Sequence, residues 1–250
     1  MSPDSRLRAR SGQRHALITG AARGIGLGIA RKLASDGYSI IALDHDSEAL
    51  EASARFLPRK TRLISLDVTD REAVSASLNQ LPALNAVVNN AGLAGELLPV
   101  AKLDPESVRR ILKVNVKGAF IVSQEALPRM KSGSAIINIA SRGYLGGAGG
   151  AHYVASKAGL VGMTRAMAAE LRWRKIRVNA VAPGMVETRM LEGFTPKMKA
   201  ALERLEPEGR AADPEEIAGI VSFLASDASK LISGQVLLAD GGKSLGTMPY

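Results

Sequence analysis

The 250 residues carry 33 Lys and Arg against 24 Asp and Glu, a formal charge of +9, and no cysteine. A chain of this length can bury one substantial core, and an α/β chain of this size is usually one domain. Its composition excludes a disulfide framework and a thiolate metal site, and no apolar run of about 18 residues is present to form a membrane-spanning helix.

The three histidines, His15, His45 and His152, have no ligand spacing, so no metal centre is expected and they read as unrelated surface or loop residues. Arg6, Arg8, Arg10 and Arg14 crowd the first fourteen residues, opposed only by Asp4. Such a stretch reads as a disordered, solubilising arm over residues 1–13, with one folded domain over 14–250. It has no apolar segment of the secretory kind, and a cytoplasmic location is expected. The excess charge would suit an acidic partner or nucleic acid, but because so much of it is terminal, no specific nucleic-acid partner and no membrane are expected.

The first strand is predicted near His15, where HALITG runs into the turn TGAARGIG and then a helix carrying Ile25, Ile29, Ala30 and Leu33. This is a phosphate-binding layout. Gly20, Gly24 and Gly26 let the backbone approach a pyrophosphate, and the helix presents free N–H groups and a positive dipole end. The spacing is not G-x-G-x-x-G, so an ordinary strand-to-helix turn explains the glycines equally well. The second strand, YSIIALD, ends at Asp44, eighteen positions beyond Gly26, where a dinucleotide fold places the acid that holds the adenosine ribose. A helix N-cap is its other use, since Asp44, Asp46 and Ser47 precede a helical stretch.

The third strand, TRLISLD, closes on Asp67 and Val68, and Asp70 is expected to cap the next helix. The fourth, NAVVNNAG, turns polar where a buried strand should finish. Asn89, Asn90, Ala91 and Gly92 either bring amides and bare backbone to a ligand or serve a turn. Asp104 and Pro105 open a long helix containing Asn115 between Val114 and Val116. Asn is a poor helix former, so a local distortion or a buried hydrogen bond is predicted there.

The fifth strand, SAIINIAS, delivers Ser141 to a strand end, and a loop with five glycines leads to a helix predicted from about His152 to Arg174. Tyr153 and Lys157 leave the same face of that helix, one turn apart. A Tyr with its ordinary pKa near ~10 neither gives nor takes a proton readily at neutral pH. A cation about 4 Å away is worth about 4 kcal/mol to the phenolate at an effective dielectric of about 20, enough to bring the phenol toward the working range. Such a pair can trade a proton with a carbonyl or alcohol.

IRVNAVAP is the sixth strand, ending at Pro183 and Gly184. The apolar segment from Met185 to Phe194 is expected either to lid a pocket or to pack on its own domain. Asp213 and Pro214 start a further helix, and GQVLLADGG supplies a seventh strand. The alternation gives the fold class: α/β, a single-domain Rossmann-type doubly wound sheet of about seven parallel strands with helices on both faces.

In this order, TGAARGIG, Asp67 and Val68, NNAG, Asn115, Ser141, YVASK, Pro183 and Gly184, and the terminal DGG resemble the classical short-chain dehydrogenase/reductase family, over about Arg14 to Gly242. The resemblance implies an oxidoreductase that moves a hydride between a nicotinamide cofactor and a secondary alcohol or ketone. It makes Tyr153 the proton donor or acceptor and bonds Ser141 to the substrate oxygen. Lys157 would lower the Tyr153 pKa and hold the nicotinamide ribose, and Asn115 would hold a water linking Lys157 to solvent. Gly20, Arg23, Gly24, Ile25 and Gly26 would line the phosphates, Asp67 and Val68 the adenine, and Asn89, Ala91 and Gly92 the middle of the cofactor. Pro183, Gly184, Val186 and Thr188 complete the implied cofactor set. One departure is Ala140, which stands where many relatives have a second Ser.

Arg23 occupies a position where the family's NADP enzymes often place a base. Asp44 argues for NAD, because its carboxylate accepts from ribose hydroxyls and repels a 2′-phosphate, and His45 supplies no guanidinium. NAD(H) is expected over NADP(H). Leu93, Tyr144, Leu145, Met185, Val186 and Met190 imply a partly apolar pocket for the alcohol or ketone, with Arg142 turned to a carboxylate or to water. Two rival readings stand beside this one. The first is an NADPH-dependent reductase of 3-oxoacyl groups on an acyl carrier protein, docking through Arg172, Arg174 and Lys175. The second is a non-catalytic sensor or nucleic-acid binder, which would not need the intact Asn, Ser, Tyr and Lys set. A homotetramer is expected from the resemblance, with Ala155, Gly159, Gly162, Ala166 and Ala169 forming a small-residue stripe turned away from Tyr153 and Lys157.

Overall fold

Each of the seven predicted strands forms part of one parallel sheet in the computed structural model, which describes residues 12–147 and 150–246. The basic arm expected over residues 1–13 lies outside them, except for Gly12 and Gln13. The strands are β1 (Arg14–Thr19), β2 (Tyr38–Asp44), β3 (Arg62–Ser65), β4 (Leu84–Asn89), β5 (Met130–Ile139), β6 (Arg177–Pro183) and β7 (Val236–Ala239), in the order β3-β2-β1-β4-β5-β6-β7. The chain reverses its direction of travel between β1 and β4, and the crevice beyond their carboxyl ends is where such sheets bind ligands.

The helices are α1 (Gly24–Ser35), α2 (Ser47–Ser53), α3 (Arg71–Leu78), α4 (Pro105–Leu112), α5 (Ala119–Ala126), α6 (Ala151–Leu171), α7 (Pro196–Glu203) and α8 (Pro214–Ala225). Alternation along the strands divides the core. Ile18, Ile40 and Val88 meet Ile29 and Leu33 of α1 and Ile217 and Val221 of α8. Leu17, Ile41 and Val87 meet Val74 of α3, Ile121 and Val122 of α5 and Met167 of α6. Burial of each such Leu or Ile contributes about 1.5–3 kcal/mol, which is why both faces must be covered.

Local signals decide the helix starts. Asp46, Asp70 and Asp104 cap α2, α3 and α4 by accepting from Ala49, Ala73 and Ser107 N–H groups at 3.0, 3.0 and 2.8 Å. The cap of α2 is therefore Asp46, and Asp44 is left for another purpose. At Asn115 the structure holds both predicted features, since α4 and α5 are joined by a π turn over Lys113–Gly118 and the Asn115 side chain bonds outside its own helix.

Some boundaries differ from those expected. β3 stops at Ser65, before Asp67, and α6 ends at Leu171, giving way to a 3-10 turn over Arg172–Arg174. In the stretch after Met185 no apolar periodicity points to α7, which buries no residue fully.

Candidate active site

A cleft of about 910 Å³ opens at the carboxyl ends of β1, β4, β5 and β6. Where β1 meets α1 the glycine turn is fixed by contacts that a side chain would break. A Cβ on Gly26 would stand 2.0 Å from the Gly20 carbonyl oxygen, so α1 starts tight against the turn, and Gly20 itself has φ +64°. Thr19 Oγ1 accepts from the N–H groups of Asn90 and Ala91, both at 3.0 Å, while Asn90 Nδ2 donates to the carbonyls of Thr19 and Gly20 at 3.0 Å. β1 and β4 are thereby locked together where they meet the cleft.

Asp44 lies buried at the end of β2 and lines the cleft. Its carboxylate accepts from the Ala22 N–H at 3.0 Å, inside the glycine turn, and from the Asp46 N–H at 3.1 Å. Arg23 also lines the cleft, but its guanidinium is paired with Asp46. Asp67 accepts from Thr69 N–H at 2.8 Å, and Val68 is buried beside it.

The opposite end holds Ser141, Tyr153 and Lys157. Ser141 Oγ accepts from the Gly143 N–H at 3.0 Å and is bonded to the Tyr153 phenol. The Lys157 ammonium donates to the Ile139 carbonyl at 2.9 Å and lies 5.6 Å from the centre of the Tyr153 ring. Burial lowers the Lys157 pKa from 10.5 to about 8. Burial also raises Tyr153 above its ordinary value, opposed by the hydrogen bond to Ser141. This corrects the expectation that Lys157 draws the phenol down: the ammonium is turned to a backbone carbonyl, and desolvation prevails.

Asn115 sits behind the cleft. Its Oδ1 accepts from the Leu93 N–H at 2.7 Å, and its Nδ2 donates to the Leu93 carbonyl and to Ser156 Oγ, both at 2.9 Å. Both amide protons are thus committed to protein partners, and the side chain clasps the β4 loop to α6. A Cβ on Gly92 would come within 3.1 Å of Asn115 Oδ1 and 3.6 Å of Lys157 Nζ, so this loop lies directly against those two side chains.

Of the predicted set, Gly20, Arg23, Gly24, Ile25, Asp44, Asp67, Val68, Ala91, Gly92, Ser141, Tyr153, Lys157, Pro183, Gly184, Val186 and Thr188 line the cleft. Gly26 and Asn115 support it from behind. Asn89 does not line it: strand alternation puts Asn89 on the face of Val87, where its Nδ2 donates to Ser123 and Asn138, and the neighbouring Asn90 faces the cleft instead. Leu93, Met185 and Met190 contribute the expected apolar wall, without Tyr144 or Leu145. Arg110 of α4, and Lys113 and Val114 of the π turn that follows it, also line the cleft and were not anticipated; the helix distortion expected at Asn115 was the nearest signal. His152, expected near the surface, is 2% exposed. Gly95 makes room for it, since a Cβ there would stand 2.3 Å from His152 Nε2.

The cleft fits an extended dinucleotide. It offers bare backbone at Gly20, Gly24 and Gly92, a carboxylate with acceptors for hydroxyls at one end, and a phenol and an ammonium at the other. A family model described as Enoyl-(Acyl carrier protein) reductase matches residues 20–244. The crystal structure of a short-chain dehydrogenase/reductase of the glucose/ribitol dehydrogenase type from Brucella melitensis superposes with a TM-score of 0.85 at 31% identity, over 94% of this chain and 97% of its own. The chain belongs to the short-chain dehydrogenase/reductase family. This short-chain dehydrogenase/reductase is also 42% identical over 238 residues to the 3-oxoacyl-[acyl-carrier-protein] reductase FabG of Thermotoga maritima, covering 90% of the chain and 96% of that relative. The crystal structure of a variant of actinorhodin polyketide ketoreductase with NADPH matches with a TM-score of 0.85 at 31% identity, over 92% of the chain and 97% of its own. The chain is therefore a nicotinamide-dependent oxidoreductase of the alcohol and ketone class. Among the described residues, no helix is long and apolar enough to cross a membrane.

Proposed function

We propose that this short-chain dehydrogenase/reductase interconverts a secondary alcohol and its ketone with NAD(H), using Tyr153 as the general acid and base. The observation that carries this reading is the meeting of the Ser141 hydroxyl, the Tyr153 phenol and the Lys157 ammonium at one end of a cleft that ends in Asp44. When bound, the nicotinamide supplies the hydride chemistry. Tyr153, raised by burial, keeps its proton at neutral pH and gives it to a carbonyl oxygen as negative charge develops there. Ser141 orients the phenol and the substrate oxygen, and Lys157 holds positive charge beside the ring. Asn115 keeps Gly92 and Leu93 in place against Lys157.

Asp44 supports NAD. The two backbone N–H groups that hold its carboxylate keep it facing the cleft, and Arg23, which lines the same cleft, is engaged by Asp46. At about 4 Å and an effective dielectric of about 20, each unit of phosphate charge would be repelled by about 4 kcal/mol before screening. Asp44→Ala is therefore expected to move the NAD to NADP ratio of kcat/KM by about 10²-fold toward NADP. An unchanged ratio would leave Asp44 with a purely structural role. The substrate and direction are read from a screen of secondary alcohols, polyols, hydroxy acids and their ketones, following nicotinamide absorbance with both cofactors.

A second reading, an NADPH-dependent reductase of 3-oxoacyl thioesters, is favoured by the name of the Thermotoga relative and by the NADPH in the ketoreductase structure. The docking role considered for Arg174 is weakened, because its guanidinium is tied to the carbonyls of Leu127 and Met130 at 2.8 and 3.1 Å. NADPH preference in the unmodified protein, together with turnover of acetoacetyl thioesters, would decide for this reading. We further take residues 14–250 to act as one cytoplasmic catalytic domain assembled as a homotetramer. Ala155, Gly159, Gly162, Ala166 and Ala169 are all exposed on α6 and so available to another chain. Light scattering that finds a monomer at micromolar concentration would refute the assembly.

A further inference from the structure

Four polar side chains run through the core beneath the cleft without lining it. Asn89, the last residue of β4, donates from Nδ2 to Ser123 Oγ on α5 and to Asn138 Oδ1 on β5, both at 2.8 Å. Asn138 Nδ2 donates to Thr164 Oγ1 on α6 at 2.8 Å, and Thr164 Oγ1 donates to the Leu160 carbonyl at 2.8 Å. None of the four is more than 3% exposed. Among the described residues Asn89 Oδ1 is left without a partner, so the chain of bonds is not even fully satisfied.

Stability does not account for this arrangement. Replacing both members of a buried hydrogen bond by apolar groups of the same shape is close to neutral, and an unmet buried acceptor costs about 1–3 kcal/mol. Position does account for it. Asn138 precedes Ile139, whose carbonyl receives the Lys157 ammonium, and Thr164 follows Lys157 by seven residues, two helical turns along the same face. Helix α6 is thus held to β5 at two points, Lys157 on Ile139 and Thr164 on Asn138. The hydrophobic effect is not directional, whereas a hydrogen bond adds a directional constraint on the setting of a helix along its axis. At its other end the chain of bonds reaches Asn89, next to Asn90, which holds the glycine turn. The phosphate end and the proton-transfer end of the cleft are therefore registered to each other through the core.

We propose that Thr164, held by Asn138, is a positioning residue that sets the height of α6 on the sheet and so the placement of Tyr153 and Lys157 in the cleft. The proposal rests on the Tyr153 and Lys157 reading of the site and deepens it. Thr164→Val keeps the shape, removes the hydroxyl and leaves Asn138 Nδ2 unmet. A misplacement of reacting groups by about 1 Å costs about 10²-fold in rate, so kcat is expected to fall by about 10-fold to 100-fold, with KM for NADH changed far less. Thr164→Ser, which retains the hydroxyl, should return kcat to near that of the unmodified protein. Without cofactor, amide hydrogen exchange in the peptide spanning Tyr153 and Lys157 should be faster in Thr164→Val than in Thr164→Ser.

Acetoacetyl-CoA with NADH serves as the kinetic probe, and exchange is measured on the full chain whether or not that ketone is turned over. If Thr164→Val does not fold, Thr164→Cys, with a weaker acceptor and a similar volume, should give an intermediate effect in both readouts. Unchanged exchange around Tyr153 would overturn the proposal, as would a lowered melting temperature with unchanged kcat. Tyr153→Phe separates the two claims. Activity in that variant sinks the reading of the site, whereas an inactive Tyr153→Phe beside a fully active Thr164→Val sinks only the role of Thr164.

Discussion

Lys157 should destabilise the protein that depends on it. Its side chain is 6% exposed, its ammonium meets the Ile139 carbonyl, and burial brings its pKa from 10.5 to about 8. That gap corresponds to about 3 kcal/mol of penalty on the charged form. Below about pH 8 the lysine is charged in both folded and unfolded chains, and the penalty is felt in full. Between about 8 and 10.5 the unfolded chain still binds the proton that the native chain has lost, so stability rises with pH; above that window the penalty is gone. Lys157→Met removes the charge at similar length and forfeits one charge-assisted hydrogen bond worth about 1.5–3 kcal/mol, leaving a net gain of at most about 2 kcal/mol at neutral pH. For a chain of this size that raises Tm by at most about 4–8 °C. Melts followed by circular dichroism, without cofactor, between about pH 6 and 10 check this, and the gap between variant and unmodified protein should narrow as pH rises. A variant less stable at neutral pH, or a gap independent of pH, would refute the reasoning. Activity should be lost in the same variant, as expected where a strained site is kept for function.

Tyr153→Phe removes the exchangeable proton and should abolish turnover while NADH affinity and the melting temperature stay close to those of the unmodified protein; activity within about tenfold would end the assignment. Beyond its effect on cofactor choice, Asp44→Ala leaves the Ala22 and Asp46 N–H groups without their acceptor, so chemical denaturation should report a loss of about 1–3 kcal/mol. Gly26→Ala would push a methyl to within 2.0 Å of the Gly20 carbonyl oxygen, and the forced opening of the turn should abolish NADH binding in a fluorescence titration.

The fold was legible because a parallel sheet covered on both faces needs continuous apolar strands, and runs such as HALITG and YSIIALD have few other uses. Helix caps were equally plain, since Asp70 and Asp104 cap through contacts three residues away. Side-chain direction was harder. Asn89 and Asn90 are adjacent and chemically identical, and only the pleat separates them. Extending the alternation from Val87 would have placed Asn89 in the core. His152 was misplaced because its burial depends on Gly95, fifty-seven residues earlier in the chain, and no local pattern reports a contact of that range. Helix α7 left little trace because PKMKAALE buries none of its residues fully and so needs no apolar stripe.

At the Tyr153 and Lys157 pair the expected placement holds, while the physical argument that led to it is incomplete. Four residues of separation put the two side chains together, and Coulomb attraction at about 4 Å was expected to make the phenol a stronger acid. In the folded protein both groups are desolvated, which moves the phenol up and the ammonium down. Burial, not their mutual attraction, therefore governs both shifts. At neutral pH the phenol is therefore protonated and the lysine still largely charged. On the proposed reading the phenol is then in the form that a carbonyl oxygen needs. The cation, 5.6 Å from the ring centre, exerts its pull when the proton leaves and phenolate charge appears in a poorly solvated site, where an ion pair is stronger than in water. Burial thus sets the charge state of both groups, and the hydrogen bonds to Ser141 and Ile139 fix where those charges can act.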